Sequence, residues 1–456
     1  MRNILIISAL LLNIFVHAQD NEKRIREIFD ESLVHGQSYP MLEELCLNIG
    51  HRLSGSPQAA AAVEWSRQKM ISYGFDTVFL QPVMVPHWIR GQEEVGRITN
   101  SSKLGTREVN IIAIGNSVGT GPKGVSGRIV EVQSFDELED LGKKNIEGKI
   151  VYFSRPFDQR HIRTFSAYSG AVDQRAFGAS EAAKYGAIGA VIRSMASNND
   201  DDVPHTGTLL YKEDAPKIPA VAISTKDGDL LSSLIKEDDN VNFYFETHCE
   251  MLPDVLSYNV IGELRGTEKP NEYIVVGGHL DSWDVGHGAH DDGAGCVQSI
   301  EALRIFKKLG IKPKHSIRAV MFMNEENGLR GGNKYAEEAK ATNQKHIAAI
   351  ESDAGGFSPR GFSYSGSEEQ IQKLNSFSKY FEPYMMSLFS SPGGGADIGP
   401  LKSQGTAVIG LSPDSQRYFD LHHTTSDTFD KVNRRELELG AAAMTSLIYL
   451  IDQEGL

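Results

Sequence analysis

Cysteine is scarce: Cys46, Cys249 and Cys296 are the only three in 456 residues. None forms a CxxC pair, which argues against a thiolate zinc site. An odd count allows at most one intrachain disulfide, and a chain of this length builds a core without staples. Basic residues are in deficit as well. Lys and Arg number 46 against 60 Asp and Glu, a formal charge of −14. There is no concentrated basic stripe, so a nucleic-acid surface is excluded, because phosphate binding needs cations in excess. Long apolar runs are missing beyond the N-terminus, so no later segment reads as a membrane span. Tandem repeats and low-complexity tracts are also absent.

What remains is an ordinary globular composition, 40% hydrophobic and 23% charged,. The length favours two or three domains. Met1 to Ala18 reads as a secretory signal. Arg2 gives a positive start, Ile4 to Val16 is almost wholly apolar, and Val16-His17-Ala18 precedes a cut ahead of Gln19,. No Cys follows that run, so a lipid anchor is not supported. The mature chain is expected outside the cytoplasm, secreted or periplasmic, and free of the membrane once the signal is removed.

The rest of the chain has three textures. Residues 19–117 mix helical spacing, as in Ile25, Ile28, Phe29 and Leu33, with extended stretches,. Residues 118–246 carry short apolar strands at Ser126–Val132, Lys149–Phe153, Ala187–Ile192 and Pro219–Ile223, separated by Gly, Asp and Pro turns,. One helix is expected there, over Ser180–Tyr185. This middle third holds no catalytic cluster and reads as an inserted domain. In residues 247–456 strands alternate with helices. Ile274–Gly277, Ser316–Met323, Ile347–Glu351 and Val408–Leu411 are the buried-strand candidates. Helices are expected over Gly293–Leu309, Arg330–Ala341, Ser367–Tyr380 and Arg435–Asp452. That alternation predicts an α/β fold with a mostly parallel sheet.

The chemistry lies at the ends of those strands, where open α/β sheets place their sites. His279, Asp291, Glu326, Asp353 and His423 fall in HLDSWD, GAHDDGAG, NEENG, ESDAGG and HHTTSDT. Imidazole and carboxylate suit zinc, and a catalytic zinc usually takes three protein ligands. Five side chains therefore suit two metals with one carboxylate between them, a spacing of about 3.5–4 Å that can hold a water. Asp291 is the expected bridge. Asp281, two residues past His279, is the natural carboxylate to fix its tautomer. Glu325 and Glu326 are adjacent carboxylates at a strand end; Glu326 is assigned to metal and Glu325 to proton transfer. Asp292 can cap the next helix. His422 competes with His423. Asp427 can orient His423 or cap the element after it. Each signal alone is weak; their order and placement give them weight.

These residues resemble the co-catalytic zinc exopeptidases of the aminopeptidase/glutamate carboxypeptidase type, and within them the carboxypeptidase Q subfamily. HRLSGSP at His51, PHWIRGQEE at Pro86, SFDEL at Ser134 and PHTG at Pro204 carry the likeness. So do PKIPAVAIS at Pro216, the run from Gly278 to Gly295, and GGADIGPL at Gly394. The resemblance implies a three-layer α/β/α domain with a mixed, mostly parallel sheet, interrupted by a protease-associated domain. It implies two zinc ions, with His279 and Asp353 on one, Glu326 and His423 on the other, and Asp291 bridging through a cis Asp291–Asp292 peptide. Glu325 would be the base and Asp281 the residue orienting His279. The last ligand in the family precedes a small-residue run ending in Asp, which selects His423 over His422. The implied activity is hydrolysis of small unblocked peptides by a homodimer, with a broad aminopeptidase of longer peptides as the alternative. All five ligands and the base are present, which weighs against an inactive binding domain. Asp397 is a candidate substrate contact. His287 and His290 depart from the family's look and are candidate tuning residues or competing ligands.

Overall fold

The computed structural model describes residues 20–456. The expected signal, Met1–Ala18, lies outside them. No helix among the described residues is long and apolar enough to cross a membrane.

One eight-stranded sheet carries the peptidase layer. Its order is Thr77–Ile89, Glu250–Leu264, His315–Phe322, Lys269–His279, Lys345–Glu351, Ala407–Pro413, Pro359–Ser365 and Leu388–Ser390. The four strands from His315–Phe322 to Ala407–Pro413 run parallel, and they contain the four apolar runs expected from sequence. Antiparallel strands flank them. Alternation along each strand sends side chains to opposite faces. Ile274, Val276, Ile317, Ala319 and Met321 join one core, which holds Val297, Ile300, Leu447 and Ile448 of the helices Ala294–Lys308 and Arg434–Glu454. Val275, Val320 and Phe322 join the other, with Tyr335, Ala336 and Ala339 of helix Arg330–Ala341. Helices thus cover both faces of the sheet, in three layers. Each fully buried Ile, Val or Phe contributes roughly 1.5–3 kcal/mol by leaving water.

A second eight-stranded sheet forms the insert. Its order is Gly105–Val109, Val95–Ser101, Asn242–Glu246, Val125–Val132, Ile150–Phe153, Gly189–Arg193, Ala220–Ile223 and Ile111–Ala113. The layer therefore begins at Val95, not at Val118 as the sequence texture implied. Gly105–Val109 is an edge strand with mostly exposed side chains, and Val95–Ser101 beside it alternates buried with half-buried or exposed ones, so neither shows an apolar run,. The expected helix Ser180–Tyr185 is the end of a longer one, Val172–Lys184. The chain leaves and re-enters the peptidase layer through one long antiparallel pair, from Thr77↔Glu263 to Ile89↔Glu250. All three cysteines are free and buried.

Candidate metal centre

The parallel register brings strand ends to one rim. His279 pairs with Phe322, and Gly277 pairs with Glu351. His279 closes its strand, while Glu326 and Asp353 lie just past the ends of theirs. Asp291 sits in the turn Ala289–Gly293, and its peptide to Asp292 is cis. His423 follows helix Tyr418–Leu421 and adopts a left-handed backbone, φ 62°. Neighbouring side chains normally diverge; here the rings of His422 and His423 stack with centroids 3.4 Å apart.

The structure brings the five expected ligands together around Asp291. His279 Nε2 lies 3.1 Å from Asp291 Oδ1 and 3.4 Å from Asp353 Oδ1. His423 Nε2 lies 3.1 Å from Asp291 Oδ2 and 3.2 Å from Glu326 Oε2. One oxygen of Asp291 thus faces the His279–Asp353 pair, and the other faces the His423–Glu326 pair. Asp291 Oδ2 is buried yet makes no hydrogen bond. A buried orphan oxygen among imidazole nitrogens and carboxylates is the environment a zinc ion would satisfy. Three residue sets have ligand atoms mutually within 4.8 Å: Asp291, His422 and His423; His279, Asp292 and Asp353; and His279, Asp291 and Glu326. Asp292 is already engaged, because its carboxylate accepts the N–H of His279 and of Gly295. His422 lies farther out, Nε2 being 3.7 Å from Asp291.

Several neighbours differ from their expected contacts. Nδ1 of His279 meets the main-chain oxygen of Asp281 at 2.9 Å, not its carboxylate. That carboxylate instead accepts the N–H of Asn324 and Glu325 and so holds the NEEN turn. Asp427 does not reach His423. It accepts the N–H of His290 and Asp291 and fixes the metal loop. His290 stacks on Phe357, and its Nδ1 accepts the Gly356 N–H; His287 Nδ1 accepts that of Phe429. Neither falls in a ligand set. Asp397 is buried with both carboxylate oxygens unpartnered, and it does not line the cleft beside the centre.

Charge explains why the cluster calls for cations. Burial alone would raise the Asp291 carboxyl, but His279 and His423 overcome it and hold it well below the usual range. Burial would depress His279, yet Asp291 and Asp353 carry it well above the imidazole range. Burial holds His423 low. Glu325 and Glu326 are pushed well up by burial, against the pull of His279 and with the help of neighbouring carboxylates. Buried carboxylates this close stay ionised only beside positive charge.

The insert touches this centre, which the sequence did not disclose. Thr206 N–H donates to the His423 carbonyl at 3.0 Å, and the Thr208 hydroxyl donates to that of Glu326. Arg175 Nη1 lies 3.4 Å from His423 Nδ1, and its Nη2 donates to the Tyr168 hydroxyl at 2.8 Å. No local motif marks Tyr168 or Arg175; the residues that tie them to the centre, Phe419, His422 and His423, are far away in sequence. The cleft has a volume of about 1040 Å³ and is lined by Asp353, Glu351, the glycines of residues 393–395 and, from the insert, Ile162 and Phe165.

Residues 259–448 match peptidase family M28, and residues 125–231 match a PA domain. Carboxypeptidase Q of Bos taurus is 33% identical over 435 residues, covering 95% of this chain and 89% of that relative. The Homo sapiens protein of that name is 34% identical, covering 91% of this chain and 85% of its own. Among solved structures, a peptidase M28 precursor from Shewanella amazonensis matches with TM-score 0.90 at 33% identity, covering 95% and 97% of the two chains. A zinc aminopeptidase from Bacillus subtilis shares the fold, with TM-score 0.65 at 19% identity over 93% and 97%. The chain belongs to peptidase family M28 and is a zinc metallopeptidase whose catalytic domain is interrupted by a PA domain.

Proposed function

We propose that this metallopeptidase is a secreted exopeptidase of small unblocked peptides. We assign one zinc to His279 and Asp353, a second to Glu326 and His423, and the bridge to Asp291. The observation that carries this reading is the split of Asp291, one oxygen towards each His–carboxylate pair. Bound zinc supplies Lewis-acid polarisation of a carbonyl and a water of lowered pKa. The chain's own residues do the rest. Glu325, beside Glu326 at the end of the same strand, takes the proton of the attacking water and returns it to the leaving nitrogen. Asp281 positions Glu325 by holding its main-chain N–H at 3.1 Å.

The cleft supports a second reading. At about 1040 Å³ it stands at the upper end of pockets that bury small ligands, roughly 300–1,000 Å³,. That room favours an aminopeptidase of longer peptides as the alternative. A panel separates the two. Free dipeptides, N-acetylated dipeptides and free pentapeptides are incubated with zinc-loaded protein, and products are resolved by chromatography. The first reading requires cleavage of free dipeptides above the others. Preference for the pentapeptides selects the second. Full activity after exhaustive chelation would sink the zinc assignment itself.

We also propose a homodimer. Met84 and Leu256 face each other across the outer strand pair and are about half exposed, an apolar patch on a sheet edge,. Light scattering of the mature chain tests this: a monomer of about 48 kDa, the 50.1 kDa chain less its signal,, would remove the claim.

A further inference from the structure

Among the described residues, Tyr168 is the one insert side chain whose phenol stands within a single guanidinium of a metal ligand. It lies on the short helix Thr164–Ser169. Its ring stacks on Phe419 at 4.9 Å and meets His422 edge-on at 5.3 Å. Its oxygen accepts from Arg175 Nη2 at 2.8 Å, while Nη1 of that planar group reaches His423 Nδ1 at 3.4 Å. Arg175 is itself buried, 6% exposed, so the fork is held by packing. Tyr168 also feels the charges of Glu325 and Asp291.

The direction of the Arg175 bond matters. A guanidinium has only donors, so it occupies a lone pair of the phenol and leaves the phenol's own proton unused. Among the described residues, that O–H donates to no protein acceptor. A fixed cation behind the oxygen polarises the O–H bond and strengthens it as a donor. A phenol is otherwise protonated at neutral pH. The result is a donor with an unspent proton beside the cluster, on a helix whose Phe165, Ser166 and Ser169 line the cleft,.

We propose that Tyr168 is a catalytic residue contributed by the insert, its O–H donating to the scissile carbonyl oxygen as that oxygen becomes negative. The assignment rests on the peptide-hydrolysis reading above. In the addition step the water oxygen bonds to the carbonyl carbon, the π pair moves onto the carbonyl oxygen, and Glu325 takes the water's proton. In the collapse that pair re-forms C=O, the C–N bond breaks, and Glu325 hands the proton to the leaving nitrogen. Tyr168 keeps its proton throughout and contributes a hydrogen bond that is strongest between the two steps. Arg175 is a positioning residue acting through Tyr168.

The test is Tyr168→Phe, which deletes the hydroxyl and leaves the ring to stack on Phe419. Removing one such donor lowers kcat by about 100–1,000-fold. We expect that loss with KM little changed, and with zinc content by elemental analysis and melting temperature as in the wild type. Affinity for a phosphinic dipeptide analogue, read by calorimetry, falls in parallel, while affinity for the product amino acids does not. A kcat within a few-fold of wild type overturns the proposal, as does a loss that tracks zinc content. So does a large kcat loss in His422→Gln with none in Tyr168→Phe, which moves the donor role to His422. If the wild type cleaves no peptide, the exopeptidase reading fails instead. The calorimetric arm still decides the role of Tyr168: equal phosphinate affinity of both proteins overturns it.

Discussion

The carboxylate of Asp427 accepts the main-chain N–H of Asp291 at 3.1 Å and that of His290 at 2.8 Å. Residues 136 positions apart are thereby tied, and the bridging ligand is held from behind by its own backbone. The tie has a measurable consequence. Asp427→Asn keeps the shape but offers one acceptor oxygen where there were two. One buried N–H then loses its partner, at about 1–3 kcal/mol. Supporting groups of this kind set metal affinity by about 10–100-fold. Competition with a chelating dye should show zinc release at correspondingly lower dye concentration. Unchanged affinity in a folded variant would assign Asp427 to loop packing alone.

Glu325 and Glu326 separate cleanly by substitution. Glu326 Oε2 faces His423, whereas Glu325 is held at its N–H by Asp281 and lies in no ligand set. Glu325→Gln should retain zinc and lose turnover by about 10²–10⁴-fold, the contribution of a positioned general base. Glu326→Gln should lose zinc first. Elemental analysis beside kcat decides it, and the opposite pattern exchanges the two roles.

Acid sensitivity is expected from a group far from the metals. His346 lies near the start of strand Lys345–Glu351, 6% exposed, with Nε2 at 2.9 Å from the Tyr335 hydroxyl. Burial first, and the Arg318 charge second, push its pKa down to about 4. A depressed folded pKa means that the unfolded chain takes up the proton more readily. The stability from His346 is therefore present above pH ~6.5 and is lost as pH falls towards about 4,. Between pH 7.5 and pH 5 the loss is about 2 kcal/mol. His346→Gln should lack this component. Urea unfolding of both proteins at the two pH values should show their gap shifting by that amount in favour of the variant. A constant gap would mean that His346 titrates normally.

How much of this was legible is a matter of locality. The four central strands read directly, because buried parallel strands are continuous apolar runs such as Ile274-Val275-Val276. The candidate ligands read from their place after strand ends. Contacts made by backbone atoms did not read. Asp281 was expected to hold His279 by its carboxylate, but its main-chain oxygen does so. The insert's first strands escaped because the edge strand Gly105–Val109 mostly exposes its side chains and Val95–Ser101 only alternates between buried and half-buried or exposed ones. The helix Val172–Lys184 read short because its early turns bury Gln174 and Arg175, which pattern reading takes as solvent-facing. Arg175 is buried against Tyr168 and the distant His423, and no periodicity encodes that.

Arg52, from the HRLSGSP motif, was likewise visible only as a loop residue, yet it is fully buried. Its Nε donates to the Leu280 carbonyl at 2.6 Å, Nη1 to that of His287 at 2.7 Å, and Nη2 to that of Gly288 at 2.9 Å. Its main-chain N–H donates to the Ser282 hydroxyl. These four partners lie between His279 and Asp291, with a longer bond from Nη1 to the Gly50 carbonyl at 3.3 Å beside them, so one side chain and its backbone brace the loop joining two candidate ligands. No carboxylate forms an ion pair with this guanidinium among the described residues; neutral carbonyls carry the whole interaction. Only a planar group with five donors can reach three separated oxygens at once. Lysine keeps the charge but offers one nitrogen. Arg52→Lys should therefore strand carbonyls inside the core, at about 1–3 kcal/mol each. We expect unfolding free energy to fall by about 3 kcal/mol or more and zinc affinity to fall with it, because the loop loses its brace. Chemical denaturation with and without zinc reads both effects. A variant stable to within about 1 kcal/mol and normal in zinc binding would show that water, not Arg52, satisfies those carbonyls.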